Sequence, residues 1–238
     1  MTLEEVSAPA VRALLAPLLD GRARGKAAVF DADGTLWRGD VGEELLRHLA
    51  ARGALPSLAE PRAAFHEYER RHAVDPVEAY AFNAQVLAGL SEAQLEEDCA
   101  ALVKQRFEGR IFRFTRPWLE ALSGAGLEVW ICSASPIWVV EAGAALLGIP
   151  KARCLGARCA VDAGVVTARL EGPVPAGDGK VTWLERRGLR PALAVGNGEL
   201  DEPMLRFAER AIVVAPHGDE GNGLVRAAVS KGWPIQRG

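Results

Sequence analysis

The 238-residue chain is poor in several things at once. It has 4 cysteines, at 99, 132, 154 and 159, with no Cys-x-x-Cys pair and no histidine at zinc spacing beside them. A disulfide framework and a structural zinc site are therefore excluded, and four buried or half-buried thiols in a reducing compartment are expected. Long apolar runs are missing too, all of them falling far short of the ~20 residues that a membrane-spanning helix needs. The start, Met1-Thr2-Leu3-Glu4-Glu5, is acidic and lacks the basic-then-apolar order of a secretory signal. A cytoplasmic, soluble protein is the expectation. No charge sign dominates: 28 basic against 31 acidic residues give a net −3, which offers no electrostatic case for nucleic acid as a partner. Internal repeats and low-complexity tracts are absent as well.

What is present is an ordinary globular composition, 49% hydrophobic and 25% charged. At this length the chain buries roughly 70–75% of its unfolded surface, so it folds without a staple. Residues 1–25 read as a helix and a Gly/Arg turn. Lys26-Ala-Ala-Val-Phe-Asp31 is a short apolar run ending in a carboxylate, the pattern of a strand buried on both faces. From 39 to about 112 the texture changes. Apolar residues recur at helical spacing through Val41–Leu49, Ala59–Tyr68, Val77–Leu90 and Leu95–Phe107, and Ser91-Glu-Ala-Gln94 fits a capping box. After Pro117, helices (Trp118–Ala125, Ile137–Leu147, Lys180–Arg187, Glu202–Ala208) alternate with strands (Leu127–Cys132, Ala192–Val195, Ala211–Ala215), and Asp162-Ala-Gly164 reads as a hairpin turn. The expected architecture is α/β: a Rossmann-like parallel core over 1–38 and 113–238, with an all-helical domain inserted at 39–112.

In such sheets ligands bind beyond the carboxyl ends of the strands. Four of those ends or nearby loops carry polar residues. Asp31-Ala-Asp33-Gly34-Thr35 supplies two carboxylates and an immediate turn, which suits a nucleophile beside an acid/base, or simply an acidic turn with Thr35 as a helix cap. Ser133 in Cys132-Ser-Ala-Ser-Pro136 suits an anion site at a helix start, or an N-cap. Lys180 in Gly177-Asp-Gly-Lys180 offers a point charge for phosphate, or is a solvated lysine; it is not a Walker A lysine, since Val174 and Val181 stand where glycine and a hydroxyl are required. Gly196-Asn197-Gly198-Glu199-Leu200-Asp201 places an amide oxygen and a carboxylate where a hard cation would want them, or forms a plain turn. A dinucleotide oxidoreductase is excluded by the lack of Gly-x-Gly-x-x-Gly after the first strand.

In this order, the four segments resemble the signature of the haloacid dehalogenase superfamily over about residues 26 to 230, with the helical insert similar to the cap of its phosphoserine phosphatase-like branch. The resemblance implies a phosphatase. Asp31 would be the nucleophile, forming an aspartyl-phosphate, and Asp33 the acid/base. Dehalogenase members lack the second aspartate, so phosphate rather than carbon–halogen chemistry is implied. Magnesium would be held by Asp31, the Asp33 carbonyl and Asn197, with Asp201 orienting metal waters or Lys180. Ser133 and Lys180 would hold phosphoryl oxygens. The physical need is clear: a phosphate dianion approaching a carboxylate meets about 4 kcal/mol of repulsion per charge pair at 4 Å and an effective dielectric of 20.

The sequence departs from that pattern at two places. The fourth motif usually opens Gly-Asp and here reads Gly196-Asn197, so weaker magnesium binding is expected. The second-motif loop reads Ser-Ala-Ser-Pro where phosphoserine phosphatases carry Ser-Gly-Gly. Asp40 aligns with an acid that meets a substrate amine, or caps the following helix. Trp37 would stack on a quaternary ammonium, or sit in the core. Glu43, Glu44, Arg70, Arg71 and His72 are further candidates in the insert. The expected substrate is a small soluble phosphomonoester, with an amine-bearing one (phosphoserine, phosphoethanolamine or phosphocholine) favoured. The alternatives are a phosphotransferase to an alcohol and a non-catalytic phosphate-binding module, the latter on account of Asn197.

Overall fold

In a computed structural model, residues 1–216 and 223–237 are described. The elements run α1 (Leu3–Val6), α2 (Pro9–Leu15), β1 (Ala27–Phe30), α3 (Val41–Ala51), α4 (Ala64–His72), α5 (Pro76–Gln85), α6 (Glu92–Phe107), α7 (Thr115–Gly124), β2 (Glu128–Pro136), α8 (Ile137–Leu146), β3 (Cys154–Ala157), β4 (Cys159–Asp162), β5 (Val165–Leu170), α9 (Asp178–Arg186), β6 (Leu193–Gly196), α10 (Glu202–Phe207), β7 (Ala211–Val214), α11 (Gly223–Lys231) and β8 (Ile235–Gln236). Six strands form one sheet in the order β3-β2-β1-β6-β7-β8, and β4-β5 form a separate hairpin. β1 pairs in parallel with β2 on one side and β6 on the other, Val29 facing Trp130 and Ala194. β6–β7 and β7–β8 are parallel as well. The α/β class and the parallel sheet are as the sequence implies.

The chain divides into two compact units: Met1–Gly39 with Arg110–Cys132 and Gly177–Gly238, and Asp40–Gly109 with Ser133–Ala176. In the first unit, Ala27, Ala28, Val29 and Phe30 of β1 are all buried, as a strand covered on both faces requires. Fully burying each valine- or phenylalanine-sized side chain contributes about 1.5–3 kcal/mol. The predicted N-terminal helix is broken in two at Ser7, where Pro9 starts α2 at its first turn. Both pieces are tied down by Gln236 of β8, whose side chain accepts from Ala8 N at 2.9 Å and donates to Val6 O at 3.0 Å.

The second unit corrects the sequence reading in one respect. Its inserted part is all-helical, α3 to α6, but residues 133–176, expected in the core, cluster with it. Packing of α8 against α6 joins them, together with backbone pairing across a long stretch of chain: Val166 N donates to Leu90 O and Gly89 N donates to Val166 O, at 2.9 and 2.8 Å. The same pairing corrects the capping box. Ser91 sits at the N-cap of α6 without a side-chain cap bond, and Glu92 N instead donates to the Gly164 carbonyl at 2.9 Å. The hairpin turn falls where expected. Ala163 and Gly164 both take positive φ, 49° and 78°, the conformation of a two-residue hairpin turn.

Candidate active site

The first unit gathers polar residues from two strand ends and one helix start. Asp31 follows β1, Asn197 and Asp201 follow β6, and Lys180 lies in the first turn of α9. Lys180 is 2% exposed. Its Nζ donates to Asp31 Oδ1 at 2.7 Å and to the Cys132 carbonyl, at the end of this unit's part of β2, at 2.7 Å. The same ammonium pairs with Asp201 Oδ1 at 2.6 Å. Three donors meet three acceptors, which is all that an ammonium can offer. Burial alone would lower the Lys180 pKa, but the charges of Asp201 and Asp31 more than offset it and hold it raised.

Asp31 is equally engaged. Its Oδ2 accepts from Thr35 Oγ1 at 2.8 Å, and that hydroxyl also lies 3.1 Å from Asn197 Oδ1. Burial pushes the Asp31 carboxyl up to about 7, with the charge of Asp201 adding to the rise and Lys180 opposing it. Asp201 Oδ2 accepts from the amides of Asn197 and Gly198, both at 2.9 Å. Both oxygens of Asp201 are thus committed to protein donors. That arrangement suits a residue that orients Lys180 and the 196–198 turn rather than one that touches a metal directly. Gly34 is required at its place. Its φ is +74°, and a Cβ there would stand 3.0 Å from Asn197 Cγ and closer still to Nδ2.

Magnesium fits this donor set on two observations. Asp31 Oδ2 and Asn197 Oδ1 converge on one hydroxyl, which has a single proton to give. Two buried carboxylates, Asp31 and Asp201, also face a single buried ammonium, leaving net negative charge in a dry place. Among the described residues no three His, Cys, Asp or Glu side chains group as a metal-holding set. The oxygens brought together here are those of the Asp31 carboxylate and the Asn197 amide, of the kind that a hard cation prefers.

The other expected site residues fall as follows. The Asp33 carboxylate accepts from Trp37 Nε1 at 2.7 Å, and Trp37 is fully buried. Trp37 therefore holds the second carboxylate and does not present a face for a quaternary ammonium; the indole went into the core because residues 36–37 pair with 111–112, Phe112 N donating to Leu36 O. Asp40 and Ser133 belong to the second unit. Asp40 caps α3, accepting from Glu43 N at 2.8 Å. Ser133, on β2, accepts through Oγ from Ser135 N at 3.2 Å. Glu43 and Glu44 pair with Arg47 and Arg106, while Arg70 and Arg71 both engage Glu67. The His72 ring packs against Tyr68 and Tyr80. All four cysteines are buried and unpaired, and burial pushes the Cys132 thiol up to about 12, so it is no nucleophile. Sequence reasoning missed two contributors: Thr35 as the hydroxyl shared by Asp31 and Asn197, and the Cys132 carbonyl under Lys180. As a check on the cap assignment, Asp40→Ala should cost about 1 kcal/mol of stability, read by urea unfolding.

Strand-end carboxylates around a buried lysine lie at the carboxyl ends of β1 and β6, where parallel α/β sheets bind their ligands. The model of the haloacid dehalogenase-like hydrolase family matches residues 28–206, and the chain belongs to that family. It is 28% identical over 225 residues to a phosphoserine phosphatase of Mycobacterium tuberculosis, covering 88% of this chain and 70% of that protein. To a phosphorylcholine phosphatase of Pseudomonas aeruginosa it is 29% identical over 166 residues, covering 56% and 48%. Among solved structures, a protein of unknown function from Bordetella pertussis shares the fold with a TM-score of 0.75 at 23% identity, covering 89% of this chain and 98% of that one. No helix among the described residues is long and apolar enough to cross a membrane.

Proposed function

We propose that this protein is a magnesium-dependent phosphomonoester hydrolase that acts through an aspartyl-phosphate on a small phosphorylated metabolite. The observation that carries the reading is the Asp31–Lys180–Asp201 cluster, with Thr35 and Asn197 closing it, at the ends of β1 and β6. Asp31 attacks phosphorus in line; the P–O bond to the leaving alcohol breaks as the Asp31–phosphorus bond forms. Asp33 protonates the departing oxygen, then takes a proton from the water that hydrolyses the intermediate. Lys180, fixed by Asp201, offsets the charge spread over the phosphoryl oxygens, and Ser133 holds one of them. Asp31, the Asp33 carbonyl and Asn197 would hold magnesium, which would supply charge neutralisation.

The favoured substrate is an amine-bearing alcohol phosphate, with residues 39–112 acting as the substrate-selecting cap. The names of the two curated relatives support that class. The test is turnover of p-nitrophenyl phosphate with and without Mg²⁺, against Asp31→Asn. Zero turnover above that control would favour a non-catalytic phosphate-binding module, the reading that Asn197 raises. Adding an alcohol acceptor and analysing products separates transfer from hydrolysis.

Asn197 brings an oxygen but no charge. Asn197→Asp should tighten Mg²⁺ binding by about tenfold, because a carboxylate gains Coulomb energy that an amide lacks. Calorimetric titration of both proteins reads it, and an unchanged affinity refutes it.

A further inference from the structure

The place of Trp37 is set by its main chain, within the first unit. Gly34 N donates to Trp37 O at 2.9 Å, residue 37 bridges Ile111, and Arg38 N donates to Arg110 O at 3.0 Å. The Leu36 carbonyl just before it accepts from Phe112 N at 3.1 Å and from Thr115 Oγ1 at 2.8 Å. These bonds hold position 37 whatever its side chain. The ring itself is fully buried. A phenylalanine would fill core space there with no polar atom to satisfy. What tryptophan adds is one N–H, and that N–H donates to Asp33 Oδ1 at 2.7 Å.

That bond limits what Asp33 does with a proton. Asp33 is half-buried on the turn after β1, and the rotation of an aspartate carboxyl about its last bond is otherwise broad. An indole N–H is a donor only. Oδ1 is therefore an acceptor whether the Asp33 carboxyl is charged or neutral, and the proton of the neutral acid resides on Oδ2. One hydrogen bond thus fixes the rotation of the carboxyl and chooses the oxygen that carries the proton.

We infer that Trp37 is a positioning residue for the acid step: by occupying Oδ1, its indole N–H presents the protonated Oδ2 of Asp33 to the leaving oxygen. The inference rests on the phosphatase reading above and deepens it. In the first step the Oδ2–H bond breaks as the proton passes to the leaving oxygen, which takes the electron pair of the breaking P–O bond. In the second, Oδ2 takes a proton from water as the water oxygen bonds phosphorus, and the Asp31–phosphorus bond breaks with its electron pair returning to the Asp31 carboxylate. Oδ1 accepts from Trp37 throughout. The N–H matters most where the leaving group needs the proton. A p-nitrophenolate spreads its charge into the nitro group and departs with little help, whereas a phenolate of nearly the same shape depends on the acid.

The experiment measures kcat/KM for phenyl phosphate and for p-nitrophenyl phosphate in the wild type, Trp37→Phe, Asp33→Asn and the double variant, with thermal unfolding of each. In Trp37→Phe the phenyl to p-nitrophenyl ratio should fall by about 10–100-fold, a share of the roughly 100–10,000-fold that a positioned acid contributes. A side chain that only packs would lower both values alike and leave the ratio unmoved, whatever it did to Tm, and that result overturns the inference. In the Asp33→Asn background the same substitution should move the ratio by less than about threefold, because groups that act as a unit are not additive. A second fall of full size there means that Trp37 acts on something other than Asp33, and also overturns it. If Trp37→Phe fails to fold, benzothienylalanine in place of Trp37 keeps the ring shape, carries sulfur where the N–H was, and should show the same fall. Wild-type turnover of p-nitrophenyl phosphate separates the failures: without it the phosphatase reading falls and the inference with it, and with it an unmoved ratio sinks only the role of Trp37.

Discussion

Lys180→Met should destabilise the protein by about 3–5 kcal/mol, the cost of removing one partner from a buried charge cluster. Methionine matches the stem in length and loses little packing. What it removes is the ammonium that meets Asp31, Asp201 and the Cys132 carbonyl within 2.6–2.7 Å. Asp201 keeps the amides of Asn197 and Gly198, and Asp31 keeps the Thr35 hydroxyl, but both carboxylates then lie buried without a counter-charge. For a chain of this length the loss corresponds to a drop of roughly 6–20 °C in Tm. The penalty should shrink on acidification, because the Asp31 carboxyl already sits raised to about 7 and takes up a proton early. A Tm within 2–3 °C of wild type, about 1 kcal/mol at this size, would mean that the lysine is not the counter-ion that the geometry makes it.

The same cluster shows how far the sequence reaches. The strand ahead of Asp31 was legible because four consecutive buried residues leave no other place for Ala27–Phe30. The hairpin at Asp162–Val165 was legible because its two turn residues must take positive φ. Asp31, Lys180, Asn197 and Asp201, spread over 171 positions of sequence, stood out as polar residues at strand ends and nearby loops, and only the family resemblance joined them into one site. What stayed hidden depends on partners that no local pattern announces. β3 is a four-residue Cys-Leu-Gly-Ala segment with little strand character of its own. Ser91 looked like a cap, but a carbonyl 73 residues away does that work. Trp37 looked available beside the site, and only the pairing of 36–37 with 111–112 turns it inward onto Asp33. Residues 133–176 read as ordinary core, and their membership in the second unit follows from the packing of α8 on α6 and from bonds between Val166 and the 89–90 segment.

Asp31→Asn should lower kcat by about 10⁴–10⁶-fold while keeping the fold, since an amide cannot become an acyl phosphate and loss of a nucleophile has effects of that order. Its effect on stability should have the opposite sign above neutral pH in metal-free protein. In the wild type, burial and the Asp201 charge raise the folded Asp31 pKa from 3.8 to about 7. The folded state then binds the proton more tightly than the unfolded state. The contribution of this group is fully present below about pH 4 and is lost as pH rises to about 7. Asparagine carries no proton to lose, so the variant's stability should be flatter across that interval, and near pH 7.5 it should equal or exceed that of the metal-free wild type. Adding Mg²⁺ should reverse the order, because a cation that binds the folded wild type more tightly than the variant stabilises it by mass action. Urea unfolding at pH 4, 5.5 and 7.5, with EDTA or with Mg²⁺, reads all of this in one series. A variant that keeps more than about 1% of wild-type turnover, far above the residual expected without a nucleophile, would remove Asp31 from the chemistry. One that shows the wild-type slope with pH would remove the buried carboxylate from the charge balance.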